Sequence, residues 1–329
     1  MIGTQARTFR KAVLVLLAAG VLTGCASREL TRYKAQLDKT DCNQWEPPSG
    51  SAQQAIAPLT MAEIPPAAQS RFSPNSLHIA HAIGVLPMLD EFLRQVDVPR
   101  EERTLEQRVQ LLELRRRIAY RCDLASLEIS SVASELDCEE EKISQLAHHL
   151  KEIEQTRETR LNVAAIAVGA LGAVVTGIHF SQDNPDPDVD GIGIGFGIAE
   201  AGLGVMMLLT GKHTSFMHPR NALRAIHDGQ DPDGIFPASV WYCLTNPVPG
   251  SEAKETLRQE LMDRWRDAEP NQAGDEQDGN DLLLGNGGEY TTDLLEKRAS
   301  RYDQLESSIK LVKQDLLQLV QELDAQTRP

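Results

Sequence analysis

The chain has 329 residues, with 33 Lys and Arg against 48 Asp and Glu and a formal charge of −15. So acidic a body repels phosphate backbones, which argues against nucleic acid as a partner. The length allows one good core or two small ones, and an aromatic content of 5% is low for a compact enzyme but ordinary for a coiled-coil-rich helical protein.

Arg7, Arg10 and Lys11 precede the apolar run "AVLVLLAAGVLTG", which is short for a membrane span and closes on small residues. That is the build of a secretory signal peptide over residues 1–24. Its end, Leu22-Thr23-Gly24-Cys25, resembles the bacterial lipobox. The resemblance implies cleavage before Cys25, a diacylglycerol on its thiol and an acyl chain on the new amine. Several chains anchor stably where one binds only marginally, so membrane lipid becomes the first expected partner. Ala26 stands where an aspartate commonly retains a lipoprotein in the inner membrane, which favours the outer membrane and a body facing the periplasm. The alternative is an uncleaved N-terminal anchor with a chance cysteine. Without the leader, 30 basic residues face 48 acidic ones, a formal charge of −18.

Residues 25–74 read as a lipid-anchored linker with a short helix near 27–39 and proline-marked chain beyond Cys42. A helical and coiled-coil region, 75–160, follows. Its first helix runs from about 75 to 96 with a kink near Pro87, and Pro99 with acidic neighbours marks a new helix start. Cys122, Ile129, Leu136, Ile143 and Leu150 then recur every seven residues, with Ala125, Val132, Leu146 and Ile153 at a second position and Glu139 as a defect. The C-terminal segment, 290–329, repeats the pattern: Leu295, Tyr302, Ile309, Leu316 and Leu323, with Leu305, Val312 and Leu319. Both are coiled-coil seams, or equally the faces of two helices in a bundle. Helices 105–160 and 290–326 therefore want partners: other proteins, another copy of the chain, or each other.

Between the seams lie "LNVAAIAVGALGAVVTGIHF" and "GIGIGFGIAEAGLGVMMLLTG", within 161–211. Ala165, Gly169, Ala173 and Gly177 repeat every four residues, as do Gly193, Gly197 and Ala201. Small residues at that spacing allow backbones to approach closely, and the short connector predicts an antiparallel apolar helical hairpin. Arg157 and Arg160 before it, with Lys212 and Arg220 after it, lie where anionic headgroups would hold them. Glu200 within the second run is costly in lipid and is expected to face a partner helix, a lumen or a buried hydrogen bond. Residues 212–268 read as mixed loop and helix with a patch around Val240–Leu244 and an exposed helix near 251–268. Residues 269–289 read as an acidic solvated linker.

Besides Cys25 there are four cysteines, and an even number in an oxidising compartment implies two disulfides, the alternative being free buried thiols. Cys122 and Cys138 fall in one predicted helix, about 24 Å apart at 1.5 Å per residue, against a disulfide limit of about 7 Å. Each must then pair with Cys42 or Cys243. Asp186, Asp188 and Asp190 before Gly191 begin like a calcium loop, making calcium the one candidate ligand, but Gly197 stands where the closing glutamate belongs, which favours a plain acidic turn. "DPDG" at 231–234 is a weaker version. His78 with His81 and the pair His148-His149 lack a third ligand, so surface or core roles are favoured. No catalytic or phosphate-binding motif appears, and no other cofactor is implied.

The expected fold is mainly α: an elongated helical, coiled-coil protein with a central Gly-rich hairpin. The lipobox together with the small-residue hairpin resembles glycine-zipper lipoproteins and the surface-exclusion lipoproteins of conjugative plasmids, a likeness confined to those two features. It implies a structural or interaction component of a cell-envelope assembly, not an enzyme. The other reading is a tethered periplasmic ligand-binding or enzymatic domain with the apolar runs as its core.

Overall fold

The computed structural model describes residues 29–43, 55–180, 213–251, 255–268 and 276–327. It is mainly α. The helices are α1 (29–37), α2 (Pro66–Gln69), α3 (Pro74–Ala82), α4 (Leu86–Val96), α5 (Leu105–Phe180), α6 (Ala222–Asp228), α7 (Ala238–Thr245), α8 (Leu257–Asp267), α9 (Glu276–Leu284) and α10 (Thr292–Ala325). A two-stranded sheet pairs β1 (Thr214–Met217) with β2 (Gly287–Tyr290). The chain forms two compact units. The first takes residues up to Thr40, Lys142–Phe216 and Glu289–Glu296; the second takes Asp41–Glu141, Met217–Gly288 and Lys297–Pro329.

In the second unit, α5 starts later than the sequence suggests. Pro99 nucleates only a turn, and the helix begins after Thr104, whose hydroxyl accepts the Gln107 N–H at 3.2 Å while the Gln107 side chain accepts the Thr104 N–H at 2.9 Å. This reciprocal cap satisfies two otherwise orphaned donors. From there the first seam is inside: Cys122, Ala125, Ile129, Val132 and Leu136 are buried, as are Tyr302, Leu305, Ile309, Val312, Leu316, Leu319 and Leu323 of α10. The two helices run antiparallel. Lys313 donates to the Ser130 hydroxyl at 2.7 Å, and Arg115 lies 3.7 Å from Asp324. The seams thus satisfy one another within one chain.

The single kinked helix expected over 75–96 is two helices. Gly84 takes a φ of 72°, a conformation that β-carbons disfavour, and ends α3, while Pro87 sits in the first turn of α4, where its missing N–H costs nothing. Ser73 caps α3 by accepting the Ser76 N–H at 3.2 Å. α3 packs on α7, α7 on α8, and α6 on α9. Part of the expected linker is core: Leu59, Ile64, Ala68 and Phe72 are buried. The acidic linker expected over 269–289 is likewise partly ordered as α9 and β2, because Leu283 and Tyr290 have apolar places to fill.

In the first unit α5 continues with Ile143, Leu146 and Leu150 buried, opposite Leu295 of α10. Lys151 and Glu296 pair at 2.7 Å, and the Thr292 hydroxyl donates to Glu154 at 2.9 Å, again an antiparallel arrangement. Tyr33 of α1 stacks on His149 with ring centroids 4.3 Å apart. Phe216 of β1 meets the Tyr290 ring of β2 edge-on at 6.0 Å. The helix runs on to Phe180, carrying Ala165, Gly169, Ala173 and Gly177 of the first apolar run.

Candidate functional site

Cys42 and Cys138 form a disulfide with Cα atoms 5.6 Å apart, closing a separation of 96 residues within the second unit. That is one of the pairings the helix length allowed. The second expected disulfide is not formed: Cys122 and Cys243 are buried free thiols. Both occupy apolar packing positions, and burial pushes the Cys122 thiol up to about 11 and that of Cys243 higher still. At neutral pH neither holds the thiolate that nucleophilic or metal chemistry needs.

The second unit also carries a buried polar hub that the sequence reading missed. Arg298, 1% exposed, donates to the Leu283 carbonyl at 2.7 Å, to the Asn221 side-chain oxygen at 3.3 Å and to the Tyr302 hydroxyl at 3.1 Å. Asn221, also buried, donates to the carbonyls of Leu283 and Gly285 at 2.9 Å each and caps α6 by accepting the Arg224 N–H. One asparagine thus ties the start of α6 to the end of α9, and one arginine ties both to α10. His218 is buried beside them; burial and the nearby Arg298 charge lower its pKa to about 3. A signal was present in the sequence, since Arg298 stands seven residues before Leu305, at a seam position otherwise taken by leucine and valine.

His78 and His81 flank the Tyr242 ring at 4.9 and 5.3 Å. His78 is buried with no hydrogen-bond partner on either ring nitrogen, and desolvation lowers its pKa to about 4. The His81 Nε2–H donates to the Ala57 carbonyl at 2.8 Å, and the Tyr242 hydroxyl accepts the Leu59 N–H at 3.1 Å. These contacts hold the segment before α2 on α3 and α7. Trp241 stacks on Phe236 at 5.4 Å, a core role. In the first unit, His148 is exposed and His149 carries the Tyr33 stack.

The weaker calcium candidate is a backbone turn. The Asp231 carboxylate accepts the N–H groups of Ile235 and Phe236 at 2.9 and 2.8 Å, and Asp233 pairs with Arg224 at 3.1 Å. Asp186, Asp188 and Asp190 lie outside the described residues, as do Cys25, Gly193, Gly197, Glu200, Ala201 and Lys212. Among the described residues, no group of three or more His, Cys, Asp or Glu could hold a metal ion. Arg220 is not available to headgroups: it pairs with Glu135 at 2.7 Å and donates to the Asp233 carbonyl.

A small cleft of about 150 Å³ opens in the second unit between Ile83, Arg121, Leu124, Glu128 and Ser239. Its polar groups are already engaged, with Arg121 donating to the Ile83 carbonyl at 2.9 Å and Ser239 to Glu128 at 2.6 Å. It falls short of the roughly 300 Å³ at which ligand pockets begin. Among the described residues no helix is long and apolar enough to cross a membrane. Val163 and Ile166 of α5 are nonetheless 62% and 72% exposed.

The arrangement defines a class, a mainly helical, coiled-coil-like protein with one disulfide, whose polar clusters work as structural ties. No protein-family model, curated protein or solved structure matches the chain.

Proposed function

We propose that this chain is a lipoprotein of the cell envelope, anchored through acyl chains on Cys25, that serves as a structural or interaction component of an envelope assembly at the outer membrane. The observation that carries the reading lies in the first unit. α5 passes without a break from its buried seam at Ile143, Leu146 and Leu150 into the apolar stretch from Leu161, where Val163 and Ile166 are exposed. Apolar surface of that kind marks an interaction site more often than a core.

The anchor can serve the same end of α5. Cys25 lies four residues before α1, at most about 14 Å of extended chain, and Tyr33 follows four helical residues on, about 6 Å. His149, on which Tyr33 stacks, precedes Leu161 by twelve helical residues, about 18 Å. Acyl chains on Cys25 and the start of the apolar run are therefore within reach of one membrane surface. The competing reading, a tethered ligand-binding or enzymatic domain with the apolar runs as its core, is disfavoured by that same exposure. Partners must use outer faces of 105–160 and 290–326, because the seams already occupy each other.

Fractionation of cells expressing Cys25→Ala tests the proposal. Uncleaved precursor, or loss from the outer-membrane fraction, is expected. Normal processing and normal fractionation of that variant would refute the lipid anchor. Release of the non-acylated mature chain by alkaline washing would refute the contribution of the apolar run.

A further inference from the structure

In the second unit, the groove between α3 and α7 is crossed by a segment that forms neither helix nor strand. Ala82 of α3 and Ala238 of α7 line the small cleft at one end of the groove. One turn along each helix, His78 and Tyr242 meet with ring centroids 4.9 Å apart. Residues 55–60 lie over both levels. Ile56 lines the cleft, the Ala57 carbonyl accepts from His81 at 2.8 Å, and the Leu59 N–H donates to the Tyr242 hydroxyl at 3.1 Å. Leu59 is buried, while Ala55, Ala57, Pro58 and Thr60 are exposed. A cover held by one buried leucine, a half-buried isoleucine and two hydrogen bonds to the helices belongs at the low end of local stability.

We propose that residues 55–60 are an acid-released strap, so that protonation of His78 and departure of the strap from the α3–α7 groove are one linked event. His78 is 4% exposed, and neither ring nitrogen has a hydrogen-bond partner among the described residues. A neutral imidazole tolerates that position, whereas an imidazolium would bury a charge with two unmet N–H donors. The charged groups around α3 are committed elsewhere. Glu63, after the strap, accepts from Thr60, Glu128 of α5 accepts from Ser239, and Arg121 of α5 donates to the Ile83 carbonyl. Asp315 and Glu322 of α10 accept from Asn75 and the Ser73 N–H, and Asp90 and Glu91 of α4 pair with Arg94. On α7 the neighbours are the Tyr242 hydroxyl and the Cys243 thiol, neither of them an anion at neutral pH. Water is therefore what a charged His78 needs. The cleft already ends at Ala82 and Ala238, so lifting Ile56 and Leu59 lets water advance one helical turn, about 5.4 Å, to the ring. His81 is a tie and not the sensor, because its Nε2–H donates to Ala57 whether the ring is neutral or charged. The released strap stays tethered, since α2 follows it and Cys42, ahead of it in the chain, is bonded to Cys138. Burial, with His81 as the smaller cause, lowers the His78 pKa from 6.5 to about 4 under the strap, and hydration restores it. Opening is thus favoured as pH falls between those values, and the open strap should be about twentyfold more populated at pH 5 than at pH 7. The device does not depend on the acyl anchor.

Amide hydrogen exchange of the full chain between pH 7 and pH 5, corrected for the intrinsic rate at each pH, tests it. The reporter is the Leu59 N–H, whose acceptor is Tyr242, and the reference is the buried α10 seam around Ile309 and Val312. In the parent, Leu59 should be less protected than the seam at every pH and lose protection about twentyfold from pH 7 to pH 5. In His78→Phe, and in His78→Leu should the phenylalanine not fit, the Leu59 loss should shrink to twofold or less on the order of one residual titration. The Asp315–Asn75 bond is common to parent and variants, so its titration cancels in the comparison. A Leu59 protection that does not change with pH overturns the proposal. So does an unchanged pH response in both His78 variants. Equal protection of Leu59 and the seam at each pH, the mark of a strap that opens only when the whole unit unfolds, overturns it as well.

Discussion

Two histidines should make the second unit sensitive to acid. His78 and His218 are both 4% exposed, with pKa values lowered from 6.5 to about 4 and about 3, burial being the larger cause in each. A histidine depressed in the folded state stays neutral there while its unfolded counterpart takes up a proton. Between pH 6.5 and the folded value the unfolded chain binds more protons, so stability falls as pH falls. At pH 5 each site costs RT ln[(1 + 10^(6.5−5))/(1 + 10^(pKa−5))], about 2 kcal/mol, and the two together about 4 kcal/mol relative to pH 8. The perturbation is His78→Phe, which keeps a ring beside Tyr242 and removes two nitrogens that have no hydrogen-bond partner. Urea midpoints followed by circular dichroism from pH 8 to 5 provide the measurement. The variant should lose about 2 kcal/mol less than the parent over that range, and all other titrating groups cancel in the difference. Parallel curves for parent and variant would refute the argument.

Peptide mapping without reduction should give the Cys42–Cys138 bridge and two free thiols. Those at Cys122 and Cys243 should resist alkylation at pH 8 until the chain is unfolded, and a Cys122–Cys243 bridge would contradict the structure. Reducing the native bridge should destabilise the fold by on the order of 4 kcal/mol if the 96-residue loop is released to full chain entropy. Along α5, Ile129→Ala should cost about 2–5 kcal/mol because Ile129 is buried in the seam. Leu127→Ala, two residues away and exposed, should stay within about 0.5 kcal/mol in the monomer, and equal losses in chemical denaturation would mean the seam is misplaced.

The seams were legible because a seven-residue repeat demands burial on one face, and every first-position residue from Cys122 to Leu150 and from Leu295 to Leu323 is buried. Elements between the seams were harder. The break falls at Gly84, three residues before Pro87, because proline is the louder signal in the sequence although it sits comfortably in the first turn of α4. α9 was hidden by its acidic surroundings, since composition registers solvated charge and overlooks the single face that Leu283 buries. The disulfide was only half legible. Helix length excluded a Cys122–Cys138 bridge, but even-number counting said nothing about Cys122 and Cys243 serving as small apolar side chains.

Arg298 connects the legible part to the illegible one. It occupies a seam position of α10, seven residues before Leu305, where a heptad prefers an apolar side chain. Heptad seams are degenerate: α10 could slide by one repeat along α5 and still place apolar side chains against apolar side chains. Arg298 breaks that degeneracy because its acceptors, the Leu283 carbonyl and the Asn221 side chain, belong to elements outside the seam. After a slide of seven residues, about 10 Å, the guanidinium would remain buried and lose both. Stranding a buried charge costs roughly 3–5 kcal/mol, more than any single leucine contact recovers by sliding. Asn221 completes the device, since the same side chain that accepts from Arg298 caps α6 and holds the end of α9. The register of the long helices is therefore set from outside their seam, by a loop residue and a carbonyl that no heptad pattern contains.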